Sequence, residues 1–379
     1  MTRPARNAGA TPVPDGVNTV VTTTRTDLAE LAAAVQAWLS DAEDDPSLTV
    51  EDLERSESSG MSSVTVLFTA VGDGARSEQV LRLAPEPSAL PVFESYDLHR
   101  QAAVTGALAD AGHVPVPRVR RVEESPAPLG RPFLVMDRAE GAAPADNPPY
   151  VFGGPLVDAT PAQRDRVQRA SVALLTGVHA TPPPDALRAD GPAGSGLARL
   201  VDDTADYYEW TVADGGVRVP ILEDGLRRLR DERPAQASSD VLTWGDARIG
   251  NILYRDFAPT AALDWEGAAL APPEFDVAWF VFFHRMYQDM AESFGKPGLP
   301  AFLRAADVLA QYRADSGRTL HDMPYFLMLA AVRMGIIFAR IKARSVHFGD
   351  TPAPADPDEY VLHHRMLRAI LDDRYEWEI

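Results

Sequence analysis

The chain has 379 residues, 36 Lys and Arg against 55 Asp and Glu for a formal net charge of −19, and no cysteine. That composition excludes a disulfide scaffold, a thiolate metal site, a cysteine nucleophile and a uniform nucleic-acid footprint, which needs clustered positive charge. The length allows one large or two modest domains with a sizeable core.

The lack of cysteine fits a reducing cytoplasm, and the opening residues (MTRPARNAGATPVPDG) have no apolar core of a secretory signal. The most apolar runs are Val277–Phe283, too short for a bilayer, and Phe326–Ile341, interrupted by Arg333, so no membrane span is expected. An acidic surface could attract a cationic substrate, but the acids are spread along the whole chain and read first as solubility.

Residues 1–24 are rich in Thr, Pro, Ala and Gly without an apolar period and read as a disordered tail. Leu28, Leu31, Val35, Trp38 and Leu39 then fall on one helix face, capped by Thr26 or Asp27. Ser62–Ala70 and Glu78–Leu83 read as antiparallel strands around Gly72–Asp73–Gly74. A helix is expected at about 96–111, and strands at Arg118–Glu123 and Phe133–Met136. The Pro/Gly/Ala-rich run 141–155 marks a lobe boundary or a surface loop.

Helices follow at 160–179, opened by Thr160–Pro161, and at 198–213 and 219–232. The C-terminal third reads as helices at roughly 278–294, 300–316, 321–345 and 358–373. Arg333, Arg340 and Arg344 form a basic line on the third of these, facing either an acceptor or solvent.

The chemistry concentrates in 242–279. Asp246 opens a loop, Asn251 follows five residues later at the start of Ile252–Leu253–Tyr254, and a turn at Arg255–Pro259 leads to a second apolar run ending on Asp264. A loop–strand–turn–strand of this kind brings Asp246, Asn251 and Asp264 to one sheet edge. Phosphoryl transfer needs such a set: a carboxylate to take the acceptor proton, and oxygen ligands for a hard Mg²⁺ ion. Any one of the three could be a turn residue; the three in this order match the Asp, Asn and later Asp of kinase catalytic loops.

On these residues the sequence resembles the aminoglycoside phosphotransferase-like, or choline-kinase-like, small-molecule kinases. The match is to a loop H-G-D-x-x-x-x-N followed by [I/L]-D-x-E, here Trp244–Gly245–Asp246 to Asn251 and Leu263–Asp264–Trp265–Glu266. The likeness extends most to the subgroup of kinase domains fused to acyl-CoA dehydrogenases, and covers about residues 50–370. Trp244 stands where most of the family has His, a prop under the loop that an indole can replace by packing.

The resemblance implies an α+β, protein-kinase-like fold of two lobes. A smaller N-terminal lobe (25–139) would carry a five-stranded antiparallel sheet, and a larger helical C-terminal lobe (140–379) the catalytic loop and acceptor site. It implies ATP (or GTP) and Mg²⁺ as cofactors. Asp246 would be the catalytic base, and Asn251, Asp264 and Glu266 metal ligands. Arg82 would clamp the nucleotide phosphates, as would small residues at Ser58–Ser63. Arg248 would assist at the metal or the phosphate.

Gln101 stands where a Glu normally pairs with the strand cation, able to hydrogen-bond Arg82 without countercharge. Met136 to Ala139 would be the hinge whose backbone contacts the adenine. Asp276 would brace the catalytic loop, and His179 would be structural.

The partners implied are a nucleotide and a hydroxylated small molecule, first a hydroxylated acyl compound, natural product or antibiotic. No nucleic acid or membrane is implied, and a homodimer is left open. Trp244 and Gln101 favour the alternative of a nucleotide-binding module without turnover. A third reading, an acid-cluster metal hydrolase, would show no response to nucleotide.

Overall fold

The computed structural model describes residues 27–56, 63–188, 195–235 and 237–377. The expected tail 1–24 and most of the Ser58–Ser63 turn lie outside them. The N-terminal part is built on one sheet. It comprises α1 (Leu28–Glu43), β1 (Thr49–Arg55), β2 (Val64–Gly72), β3 (Ala75–Leu83), α2 (Leu98–Ala111), β4 (Val119–Glu123) and β5 (Phe133–Asp137).

The five strands pair antiparallel in the order β1-β2-β3-β5-β4. Asp73 and Gly74 alone join β2 to β3, both at positive φ (48° and 75°), the twist a two-residue hairpin needs. Alternation along β2, β3 and β5 puts Val66, Phe68, Leu81, Leu83, Phe133 and Val135 on one face, against Leu31, Val35 and Leu39 of α1. Arg82, between Leu81 and Leu83, is thereby turned to the other face. Asp27 caps α1 by accepting from the amides of Ala29 and Glu30.

The rest is mainly helical: α3 (Pro155–Asp158), α4 (Pro161–Ala180), α5 (Asp185–Arg188), α6 (Gly196–Ala213), α7 (Pro220–Asp231), α8 (Glu274–Ser293), α9 (Ala305–Ser316), α10 (Met323–His347) and α11 (His364–Leu371). Thr160 and Gln163 close a capping box at the start of α4. α8 and α10 pack along each other at the centre of the larger core. Two short ribbons sit between this helical mass and the sheet: β6 (Val241–Thr243) with β9 (Ala269–Ala271), and the hairpin β7 (Ile252–Arg255) with β8 (Ala258–Ala262). The hairpin is tied to what precedes it by reciprocal backbone bonds between Ala142 and Tyr254, both 3.0 Å, and by Ala262 N–H to Pro115 O at 2.8 Å. No helix among the described residues is long and apolar enough to cross a membrane.

Element boundaries differ from expectation at four places. The hairpin turn is only Asp256–Phe257, both at positive φ, and Pro259 lies inside β8 at a register shift. α8 begins at Glu274, directly after Pro272–Pro273, rather than near 278. α9 begins at Ala305 rather than 300, because Leu303 is left-handed (φ 51°). The single helix expected over 358–373 is broken. A 3₁₀ turn at Pro357–Tyr360, capped by the Asp356 side chain, ends at an extended Val361 before α11 starts.

Candidate active site

The loop after β6 carries Asp246, and three donors hold its carboxylate. Trp279 of α8 gives its indole N–H to Oδ1 (2.8 Å), Asn251 gives Nδ2–H to Oδ2 (2.6 Å), and Arg248 Nε lies 3.1 Å from both oxygens. Asn251 Nδ2 also donates to the Asp246 carbonyl at 3.0 Å. The amide orientation is thus set, leaving Oδ1 as the Asn251 atom available to a cation. Arg248 in turn pairs with Asp146, which also accepts from the Tyr287 hydroxyl at 3.1 Å, and its guanidinium lies 5.3 Å from the Phe283 ring centre. Burial works against the Arg248 charge, but Asp246, Asp146 and Tyr287 outweigh it and raise its pKa well above the usual range. A small surface pocket borders Arg248, with Asp146, Tyr150 and Tyr287 on its wall.

Beneath the loop is Asp276, fully buried in the first turn of α8. Its oxygens accept from Trp244 N–H (2.6 Å) and Gly245 N–H (2.9 Å), and face His179 Nε2 at 3.0 Å. His179 Nδ1 lies 2.7 Å from the Tyr312 hydroxyl, so His179 is a prop of the brace, as expected. Gly245 has φ 84°, and a Cβ there would overlap the Gly267 carbonyl, so only glycine lets the Asp246 and Asp264–Gly267 loops approach this closely.

Trp244 joins the same two loops. Its indole stacks on Trp265 (centroids 4.9 Å, 19° between planes) and donates to the carbonyls of Leu263 (2.8 Å) and Asp264 (3.2 Å). The residue that departs from the motif does more than pack: it fastens the Asp264 turn, where Asp264 itself takes a positive φ of 60°, to the Asp246 loop.

Asp264 and Glu266 face Arg82 of β3. Its guanidinium lies 2.7 Å from Asp264 Oδ1 and 3.7 Å from Glu266 Oε2, and both Nε and Nη2 reach Ser63 Oγ (3.2 and 3.0 Å). Burial would lower the Arg82 pKa; the Asp264 and Glu266 carboxylates reverse this and leave it raised. A hydrogen bond between Gln101 and Arg82 is not formed. Gln101 is buried on α2, and the countercharge comes from Asp264 and Glu266. Asp97 caps α2 by accepting from the Arg100 amide. Met136 and Ala139 lie at the end of β5 and just beyond it, where Arg138 N–H bonds back to Glu78 O at 3.0 Å. Asp246 and Asn251 are therefore in direct contact, while Asp264 and Glu266 are gathered on Arg82. The oxygens of Asn251, Asp264 and Glu266 are of the kind a hard divalent cation takes, but among the described residues no three acidic or histidine side chains are gathered closely enough to hold one.

Two contributors were not singled out from sequence: Trp279 lay in one of the most apolar runs, and Asp146 in a Pro/Gly/Ala-rich run read as a lobe boundary or a surface loop. Only the five-residue Asp–Asn spacing pointed toward the loop they serve. None of the basic line faces open solvent: Arg340 is 2% exposed, pairs with Asp214 and lies 4.6 Å from the Trp210 ring centre, and Arg333 and Arg344 are half-buried.

A sequence model of the phosphotransferase enzyme family matches residues 55–315. A curated relative, "Probable acyl-CoA dehydrogenase IBR3" of Arabidopsis thaliana, is 25% identical over 302 residues; the match takes in 75% of this chain and 35% of that protein, so the chain spans about a third of its length. Among solved structures, a Ralstonia eutropha protein provisionally assigned as an aminoglycoside phosphotransferase has the same fold (TM-score 0.63, 20% identity, 91% of this chain and 97% of that one). So do aminoglycoside phosphotransferase APH(4)-Ia in a ternary complex with AMP-PNP and hygromycin B (TM-score 0.54, 16%, 89% and 98%) and macrolide 2'-phosphotransferase type I (0.52, 19%, 95% and 99%). With the match running from the end of β1 into α9 and across the whole Asp246–Glu266 stretch, the chain belongs to the phosphotransferase enzyme family and has the aminoglycoside phosphotransferase fold.

Proposed function

We propose that the protein transfers the terminal phosphoryl group of ATP (or GTP), as its Mg²⁺ complex, to a hydroxyl of a small molecule. The observation that carries this reading is the Asp246 carboxylate, fixed by Trp279, Asn251 and Arg248 at the end of a braced loop. When bound, the metal–nucleotide supplies the electrophilic phosphorus and neutralises its oxygens. Asp246 orients the acceptor hydroxyl and takes its proton. Arg82 neutralises phosphate oxygens through its planar fork. Asn251 Oδ1, Asp264 and Glu266 offer oxygens to the cation. The end of β5, from Met136 to Ala139, offers backbone groups to the base, and Arg248 steadies Asp246.

The first acceptors to try are hydroxylated acyl compounds, natural products and antibiotics. The reading supposes a soluble protein acting in the cytoplasm, alone or as a homodimer. The module without turnover is the weaker reading, because Trp244, one of the two residues that suggested it with Gln101, fastens the two loops together, and Arg82 draws its countercharge from Asp264 and Glu266 instead of from the Gln101 position.

The test is Mg·ATP-dependent thermal stabilisation together with slow ATP hydrolysis, in the wild type and in Asp246→Ala. Loss of about 10²–10⁴-fold in hydrolysis, with stabilisation retained, is expected for a base. Stabilisation without hydrolysis in the wild type would favour the module, and no response to ATP would overturn both.

A further inference from the structure

The acceptor hydroxyl has to reach Asp246, so an uncommitted charge close to that carboxylate bears on what else the acceptor carries. Arg333 of α10 is such a group. Its guanidinium lies 6.0 Å from the Phe275 ring centre; Phe275 packs on Trp279 at 5.8 Å, and Trp279 holds Asp246. Its one hydrogen bond is to Thr204 Oγ1, at 3.3 Å, a buried hydroxyl whose proton goes to the Leu200 carbonyl. The other donors of a five-donor fork have no carboxylate at ion-pair distance among the described residues.

The neighbouring arginines are differently placed: Arg340 is paired with Asp214, and Arg248 with Asp146 and Asp246. Burial lowers the Arg333 pKa against the pull of Tyr207, Asp203 and Asp246. A half-buried cation without a paired carboxylate costs stability, so its presence calls for a ligand that completes it. The molecule as a whole, at −19, repels anions, so selection for one must be local.

We propose that Arg333 is a specificity-determining residue of the acceptor site, and that the acceptor carries an anionic group, carboxylate or phosphate, that pairs with this guanidinium while its hydroxyl meets Asp246. This rests on the phosphotransferase reading above. The planar fork suits either anion.

The experiment measures Mg·ATP-dependent phosphorylation of matched hydroxylated acceptors: hydroxycarboxylates, sugar phosphates, neutral polyols, and amino alcohols with aminoglycosides. It uses the full chain as wild type, Arg333→Met and Arg333→Lys. Anionic acceptors are expected to be used, and Arg333→Met to raise their KM roughly ten- to hundred-fold while the KM for Mg·ATP stays put. Arg333→Lys should recover part of the loss. The hydroxycarboxylate and sugar phosphate arms say which anion is meant. The melting temperature of Arg333→Met should hold or rise, which a merely structural arginine would not allow.

Preference for neutral or cationic acceptors overturns the inference, as does an unchanged KM in Arg333→Met. So does Asp246-dependent ATP hydrolysis with no anionic acceptor consumed. Absence of any Mg·ATP response in the wild type instead brings down the phosphotransferase reading itself.

Discussion

The Arg82 guanidinium of β3 and the Asp264 carboxylate, just after β8, meet at 2.7 Å. The side chain assigned to the nucleotide phosphates is held by the side chain assigned to the cation, so binding of a metal–nucleotide would have to exchange one partner for another at both. Asp264→Asn therefore separates the two roles. It should abolish Mg²⁺-dependent turnover, yet leave Mg²⁺-free ATP bound at least as well as by the wild type, because Arg82 is released toward phosphate. Isothermal titration with and without Mg²⁺ checks this; weaker metal-free binding in the variant would show that Asp264 positions Arg82 rather than competing for it.

Asp276 is the second decisive carboxylate, although it faces no ligand. Its two oxygens satisfy the amides of Trp244 and Gly245 in full burial. Asp276→Asn keeps one acceptor and turns an N–H toward a backbone N–H. The expected loss is on the order of 1.5–3 kcal/mol, read as a lower urea midpoint with unchanged m-value, together with a fall in turnover. A stable variant with normal turnover would remove the brace from the account.

Trp244→Phe keeps an aromatic ring over Trp265 but deletes the N–H shared by the Leu263 and Asp264 carbonyls. The cost should be roughly 1–3 kcal/mol for leaving those carbonyls unsatisfied. Turnover should drop while the KM for ATP moves little, because the Asp264 turn shifts relative to Asp246. Trp244→His, which restores the residue of the resembled motif, should recover part of the turnover, since a ring N–H is again available. Equal activity of Phe and Trp at this position would reduce the indole to packing.

Where one local pattern carries the information, the sequence was enough. The β2–β3 hairpin follows from β-branched alternation and the Asp73–Gly74 turn, the full five-stranded sheet was implied by the resemblance, and the five-residue spacing brought Asp246 and Asn251 into contact. What stayed hidden are contacts made at long range by residues with a commonplace local role. Trp279 sits in a run of core aromatics, and only its approach to Asp246, thirty-three residues away in sequence, distinguishes it. Gln101 was placed opposite Arg82 by analogy of helix position, but Arg82 finds its countercharge across the lobe junction, which no local pattern encodes. The break before α11 was missed because Val361 is apolar and fits a helical stripe, whereas the backbone there is extended.

His363 links stability to pH. It is buried at the start of α11, donates Nε2–H to the Ala331 carbonyl at 2.9 Å, and packs against the rings of Phe282 and Phe338. Its Nδ1 is buried with no partner, so a second proton would have nowhere to go. Burial accordingly pulls its pKa down to about 4, the Ala331 carbonyl opposing only in part. His284, with its Nε2 on the Leu299 carbonyl and its Nδ1 facing the Tyr150 hydroxyl, is lowered by burial to about 4 as well. In the unfolded chain both would titrate near 6.5. Their contribution is therefore complete above about pH 6.5 and is lost as the pH falls toward 4, because the unfolded state takes up protons that the native state refuses. Each lowering corresponds to a stability change on the order of 3 kcal/mol across that window. Thermal melts at about pH 7.5 and pH 5 should show a marked loss in the wild type and a smaller one in His363→Leu, whose melting point at the higher pH is itself reduced by the missing Ala331 bond. An identical acid-induced shift in both proteins would mean that His363 is protonated in the native fold and that its burial does not govern the response.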